Sequence, residues 1–336
     1  MLVPFVIDAE SLGPDPNWTP AQHRACHNSL LDIWKRVGLL TYDGDRFDDS
    51  RLKSAIQLLP QKFRPLWQEV LERVPLRGCG AGWNGNVEPA TLDNFCAAAR
   101  LAIVDDTRAE VTFGFPEDCD EMAVATAGHA ISVDICRLLS ASSAVQFKNA
   151  LTRAGIHIET GETFRDIWNS RFSTLASASI KKVSVVDRYA ITKHHEPNAE
   201  AGLSGLERFL RLLDSDANGP RHVSLFSAWT AELREKTFPD VREDVRLILE
   251  RLPQRNIKRI RLHMMPNSGF RDDSHDRFVR FEDYVWDLGL GLEVFHGAFA
   301  AQRSSASFKS GGAVAGYKRV EQDLAGHADA KWDNIP

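Results

Sequence analysis

Short apolar runs alternate along this chain with longer segments in which apolar residues recur every three or four positions. Val3 to Ile7 reads as a buried strand that delivers Asp8 and Glu10 at its end. Trp18-Thr19-Pro20 opens a helix with Thr19 as N-cap and Pro20 at its first position; its stripe of Leu30, Leu31, Ile33 and Trp34 stops near Gly38. Asp43-Gly44-Asp45 is a turn. Arg51 to Leu59 and Phe63 to Val74 read as helices broken by Pro60, and Thr91 to Arg100 as another. Leu101 to Val104 is a second buried strand, ending in Asp105-Asp106. Ile131 to Leu151 and Phe164 to Leu175 carry helical patterns.

The later half repeats the alternation. Lys181 to Val186 is a strand ending at Asp187-Arg188-Tyr189, and the polar stretch Ile191 to Ala201 reads as a loop. Gly202 to Leu213 is an amphipathic helix, His222 to Phe226 a strand and Val241 to Leu252 a helix. Ile257 to Met264 is a strand in which arginines alternate with apolar residues. Strand–helix–strand order implies right-handed crossovers and a parallel core, so the expected class is α/β throughout. Phe278 to Phe281 and Val285 to Leu288 read as a hairpin around Glu282-Asp283-Tyr284. Arg303 to Gly312 reads as a small, polar, basic loop, and Tyr317 to Leu324 as a terminal helix before a loose tail. The expected division is an α/β domain over 1–175, a second α/β domain over 181–312, and a helix and tail over 313–336.

Length supports two domains: 336 residues are long for one ordinary core. The net charge of −5 excludes a wholly basic nucleic-acid coat, but not a local basic site. Charge is unevenly spread. Leu101 to Glu121 holds seven acids and one base, Arg108; Arg251 to Arg280 holds eight bases and three acids. These windows are either two ligand surfaces or two solvated faces. The five cysteines are widely spaced with no C-x-x-C pair, which argues against a zinc knuckle or a redox motif and fits a reducing cytoplasm. Neither a secretory leader nor a membrane-spanning run is visible.

Two sets of residues carry candidate chemistry. Gly78, Gly80, Gly82 and Gly85 are not one of them, because neither the P-loop Lys-Ser/Thr nor the G-x-G-x-x-G spacing accompanies them. In the first half, Asp8, Glu10, Asp105 and Asp106 lie at strand ends, where open α/β sheets place their sites. Such carboxylates suit Mg²⁺ or Mn²⁺; the alternative is ordinary turn and cap acids. The strand-then-acid arrangement faintly resembles the Rossmann-like PIN nucleases. His129 reads as a packed or surface histidine rather than a ligand.

In the second half, the run His275-Asp276-Arg277-Phe278-Val279-Arg280-Phe281 is followed by Trp286 and Gly289-Leu290-Gly291-Leu292-Glu293-Val294-Phe295. With Asp187-Arg188-Tyr189, Leu206 to Leu210 and Val223 to Phe226 in the same order upstream, 181–296 resembles the C-terminal domain of MIT-domain proteins. That family has a phospholipase D-like fold. Phospholipase D-type enzymes use an H-x-K-x-x-x-x-D motif, for which this chain offers His275, Arg277 and Glu282. The resemblance implies that His275 attacks phosphorus, that Arg277 neutralises the phosphoryl oxygens, and that Glu282 orients. One copy is visible, so two-histidine catalysis implies a homodimer, or a second histidine from His194-His195. No cofactor is needed for that chemistry. Asp187, Arg188, His194, Arg280 and Arg303 are the expected phosphate-binding residues, with Lys193 as a further candidate. The resemblance implies a phosphodiester-directed protein, a nuclease or phosphodiesterase acting on nucleic acid in prokaryotic anti-phage defence. The other class it implies is a non-catalytic adaptor for phosphate, nucleic acid or an acidic membrane surface.

Overall fold

A computed structural model describes residues 2–13, 17–80, 82–126, 131–196, 202–270 and 277–334 of the chain. They form two compact units, 2–152 and 153–336, each built on its own mixed sheet, so the protein is α/β. No described helix is long and apolar enough to cross a membrane.

The first unit contains β1 (Val3–Ile7), α1 (Pro20–Val37), β2 (Gly38–Tyr42), α2 (Arg51–Leu58), α3 (Arg64–Arg73), β3 (Leu76–Gly78), α4 (Leu92–Phe95), β4 (Leu101–Val104), β5 (Glu121–Ala125), β6 (Ser132–Arg137) and α5 (Val145–Arg153). Its sheet runs β3-β2-β1-β4-β6-β5, with every pairing parallel except that of β5. Thr19 and Gln22 form a reciprocal capping box and Pro20 opens α1. The helix then passes straight into β2 at Gly38. The helix expected over Ile131 to Leu151 is instead β6, a 3₁₀ turn and α5, because Val133 and Ile135 are needed in the sheet beside β4. The Thr91 to Arg100 helix shrinks to α4.

The second unit contains α6 (Phe164–Ile167), α7 (Ser173–Ala176), β7 (Lys182–Asp187), α8 (Ala190–His195), α9 (Gly205–Asp216), β8 (Arg221–Trp229), α10 (Phe238–Glu250), β9 (Ile257–Pro266), β10 (Arg277–Phe281), β11 (Tyr284–Leu288), β12 (Ala306–Ser310), α11 (Ala315–His327) and β13 (Ala330–Asp333). Its sheet runs β12-β11-β10-β7-β8-β9-β13. The centre, β7-β8-β9, is parallel; the hairpin β10–β11, β12 and β13 extend it antiparallel.

Four expectations change here, the first being that the tail read as loose supplies β13, paired antiparallel with β9 over Ala330 to Asp333. The division falls between Thr152 and Arg153 rather than after Leu175. Trp168 and Phe172 pack into a ring cluster with Phe209, Trp286 and Phe295, and buried Arg221 donates to the carbonyls of Ala176 and Ala178, so this stretch belongs to the second core. The polar stretch after β7 begins as helix α8, because Ala190, Ile191 and Thr192 are buried. The basic loop over Arg303 to Gly312 contains β12, whose N–H and C=O groups pair with β11.

Candidate functional site

The chain order of the first sheet reverses between β1 and β4, the switch point at which open α/β sheets place ligands. Asp8 follows β1 and Asp105-Asp106 follow β4. The strand ends thus deliver these acids to one edge, but they are not left facing each other. Asp8 is fully buried, and its oxygens accept from Val87 N at 3.0 Å and from the backbone and hydroxyl of Ser11. Arg108 Nε lies 3.0 Å from Asp8 Oδ2. The same guanidinium reaches Glu10 at 2.8 Å and Glu88 at 3.4 Å. Glu10, which is exposed, also holds Arg51 at 3.0 Å. Asp105 accepts from the backbone N–H of Arg108 at 2.7 Å, starting the helical turn that carries this arginine. Asp106 is turned aside to Trp18 Nε1 at 3.3 Å and to Arg137 at 3.4 Å. Burial pushes the Asp8 carboxyl up, while Ser11, Val87 and Arg108 pull it down.

Arg108 therefore stands between the acids, supplying positive charge to Asp8 and Glu10. Its only mark in the sequence is that it is the single base in an acidic run. Among the described residues no group of three or more His, Cys, Asp or Glu is disposed to hold a metal ion. His129 lies outside the described residues.

The second set lies at the carboxyl edge of β7-β8-β9. Antiparallel pairing of β10 with β7 sets Arg277 opposite Asp187. Asp187 is buried; it accepts from Tyr189 N at 2.9 Å and Leu292 N at 2.7 Å. It is thus a fastening for the two loops around it. Arg188 and Arg277 both lie against the Tyr189 ring, at 5.6 and 5.1 Å from its centroid. Arg188 Nε donates to Asn267 Oδ1 at 2.8 Å, and Arg277 Nη1 donates to Gly289 O at 2.9 Å. Two guanidiniums are so oriented over one ring at the sheet edge. His275, expected to complete the set, lies outside the described residues.

The other expected members are spread apart. Glu282 lies in the β10–β11 turn, at the opposite end of β10 from Arg277; five extended residues span roughly 17 Å. Its carboxylate accepts from Lys181 N at 2.9 Å, and its backbone has φ 51°. There it closes the turn and does not reach the edge that carries Arg277. Arg280, one residue before the turn end of the strand, pairs with Glu321 of α11 and donates to Glu282 O. Arg303 is exposed, 3.2 Å from Glu159. His194 is half-buried, with Nδ1 2.7 Å from the Oγ of Ser204, the N-cap of α9. Burial and then the neighbouring His195 lower its pKa. His195 faces Asp244 at 3.2 Å, and Lys193 pairs with Glu196 at 2.8 Å.

Searches of family models, curated proteins and solved structures return no match for this chain.

Proposed function

We propose that this chain is a phosphodiester-directed protein that engages nucleic acid at the carboxyl edge of its second sheet. The observation that carries the reading is the pair Arg188 and Arg277, held over Tyr189 where the parallel strands end. Guanidinium forks match phosphate oxygens in charge and geometry, and a sheet edge is where α/β folds expose such groups. In the hydrolytic form of the proposal, His275 attacks phosphorus and becomes phosphorylated, the leaving oxygen takes a proton, and water then releases the phosphoryl group from the imidazole. Arg277 stabilises the charge on the equatorial oxygens. A homodimer brings a second His275 as the acid.

One observation favours the second reading, a phosphate-binding adaptor without cleavage. His194, the candidate second histidine in the same chain, is committed to Ser204 and to the packing of α9. The test is incubation with labelled DNA and RNA, with Mn²⁺ and with EDTA. Cleavage that survives EDTA and dies with His275→Ala supports the histidine mechanism. Salt-sensitive binding without cleavage, lost in Arg277→Ala, supports the adaptor. Cleavage that requires Mn²⁺ and dies with Asp8→Ala moves the chemistry to the acids of the first unit. The absence of both binding and cleavage would overturn the proposal.

A further inference from the structure

A second cationic surface lies on the face of the same sheet, away from the edge that carries Arg277. Register places Lys182, His222 and Arg259 side by side on β7, β8 and β9, and Ser184, Ser224 and Arg261 one step further along. Arg280 of β10 stands opposite Ser184. Strand side chains alternate between faces, so all these residues share one face, while Val183, Val185, Val223, Leu225, Ile260 and Leu262 fill the buried opposite one. Central strands of a parallel sheet are ordinarily apolar on both faces. Here the face is divided. Towards the carboxyl ends, Val186, Phe226 and Phe278 are covered by Tyr317 and Leu324 of α11. Towards the amino ends this face carries Lys182, His222, Arg259 and Arg261 instead, and among the described residues a hollow of about 350 Å³ remains, bounded by these four with Arg280 and Glu321.

Its charges are incompletely balanced. Arg259 and Arg261 share one carboxylate, Asp333, and Arg280 takes Glu321. Lys182 is exposed and has no carboxylate within ion-pair distance among the described residues. The fixed cations, Arg280 on β10, Lys182 on β7 and Arg259 and Arg261 on β9, reach across four adjacent strands, a span of roughly 14 Å at the usual strand spacing. A single phosphate is too small to meet them all; a short chain of phosphoryl groups is not. The hollow falls at the lower end of the size range of small-molecule sites, about 300–1,000 Å³. Arginine forks and serine hydroxyls are donors suited to phosphoryl oxygens.

We infer that this hollow is a binding site for a small oligophosphate, separate from the phosphodiester site at Arg188 and Arg277. The experiment is isothermal titration of the full chain at low salt with tripolyphosphate, with orthophosphate, citrate and a single-stranded oligonucleotide as comparisons. Tripolyphosphate binds one per chain, and more tightly than orthophosphate or citrate. Lys182→Gln and Arg261→Gln each weaken it about tenfold, the loss of one charge-assisted contact. Glu321→Gln tightens it several-fold, because an anion has left the hollow while the amide oxygen still accepts from Arg280. Arg277→Ala leaves it unchanged, so failure at the sheet edge and failure here are distinguishable. The inference is overturned if tripolyphosphate does not bind, if Arg277→Ala abolishes its binding while Lys182→Gln does not, or if only the oligonucleotide binds. Lys182 is exposed, so its substitution tests the site without disturbing the fold.

Discussion

Arg108 Nε lies 3.0 Å from Oδ2 of Asp8, a carboxylate with no solvent exposure. A buried charge is tolerated when it is paired and fully hydrogen-bonded, and is costly when its partner alone is removed. Arg108→Ala is therefore expected to destabilise the protein by about 3–5 kcal/mol. Asp8→Asn in the same background should recover part of that loss, since an amide needs no counter-ion. Urea unfolding of the two variants and the unsubstituted protein checks this; equal stability of Arg108→Ala and the unsubstituted protein would show that the pair contributes nothing.

His27 gives the first unit a pH dependence. Trp67 Nε1 donates to His27 Nδ1 at 3.1 Å, which requires a neutral ring. Burial, with His23 and Lys62 nearby, lowers its pKa to about 4. The unfolded histidine titrates near 6.5, so between these values the unfolded chain binds the extra proton. Stability is complete above about 6.5 and falls as the pH drops towards 4, by up to about 3 kcal/mol. Unfolding curves at pH 7.5, 6 and 5 should show the decline, and His27→Asn should flatten it.

Asp333 acts at a lower pH. Arg259 and Arg261 hold its carboxyl down at about 2. The ion pair stabilises the attachment of β13 to β9 above the ordinary carboxylate pKa, and this is lost as the pH falls through about 2. Hydrogen exchange of 330–333 should accelerate in Asp333→Asn at neutral pH. Added salt should reproduce part of the effect, because the pair is partly exposed.

Gly291 carries φ +58°, and a Cβ there would run into the Asp187 carboxylate that fastens Leu292 N. Gly291→Ala is expected to cost about 1–3 kcal/mol from backbone strain alone and more from the clash. A thermal-melt comparison with Gly312→Ala, where a Cβ meets nothing within 4 Å, separates the close approach from a general glycine effect.

Glu282→Ala tests the division between the two ends of β10. Its carboxylate accepts from Lys181 N in the turn. The substitution should cost about 1 kcal/mol of stability and leave nucleic-acid binding unchanged. A loss of binding as large as that of Arg277→Ala, without unfolding, would return Glu282 to the phosphate site.

Much of the architecture was legible from local pattern. The strand ending at Asp8, the N-cap at Thr19, the strand before Asp105 and the hairpin around Glu282 are each set by residues a few positions apart. The alternation of arginines in Ile257 to Met264 likewise marked one polar face of β9. Helix α8, strand β12 and the early domain boundary were not legible, because each depends on a surface supplied by distant segments: the packing around Ile191, the free edge of β11, and the ring cluster that Trp168 joins.

The sequence by itself determined the α/β class, which strands carry charged residues at their ends, and which side chains share a face, since these follow from backbone periodicity. Tertiary structure alone decided the partners. Strand order brings Arg108 to Glu10 across 98 positions and Arg280 to Glu321 across 41. The same chemistry of carboxylates and guanidiniums could have been left open to a ligand. Where the sheet order closes the distance, Coulomb attraction in a partly buried setting joins the groups to each other. Where it leaves a face uncovered, as around Lys182, the charge remains available.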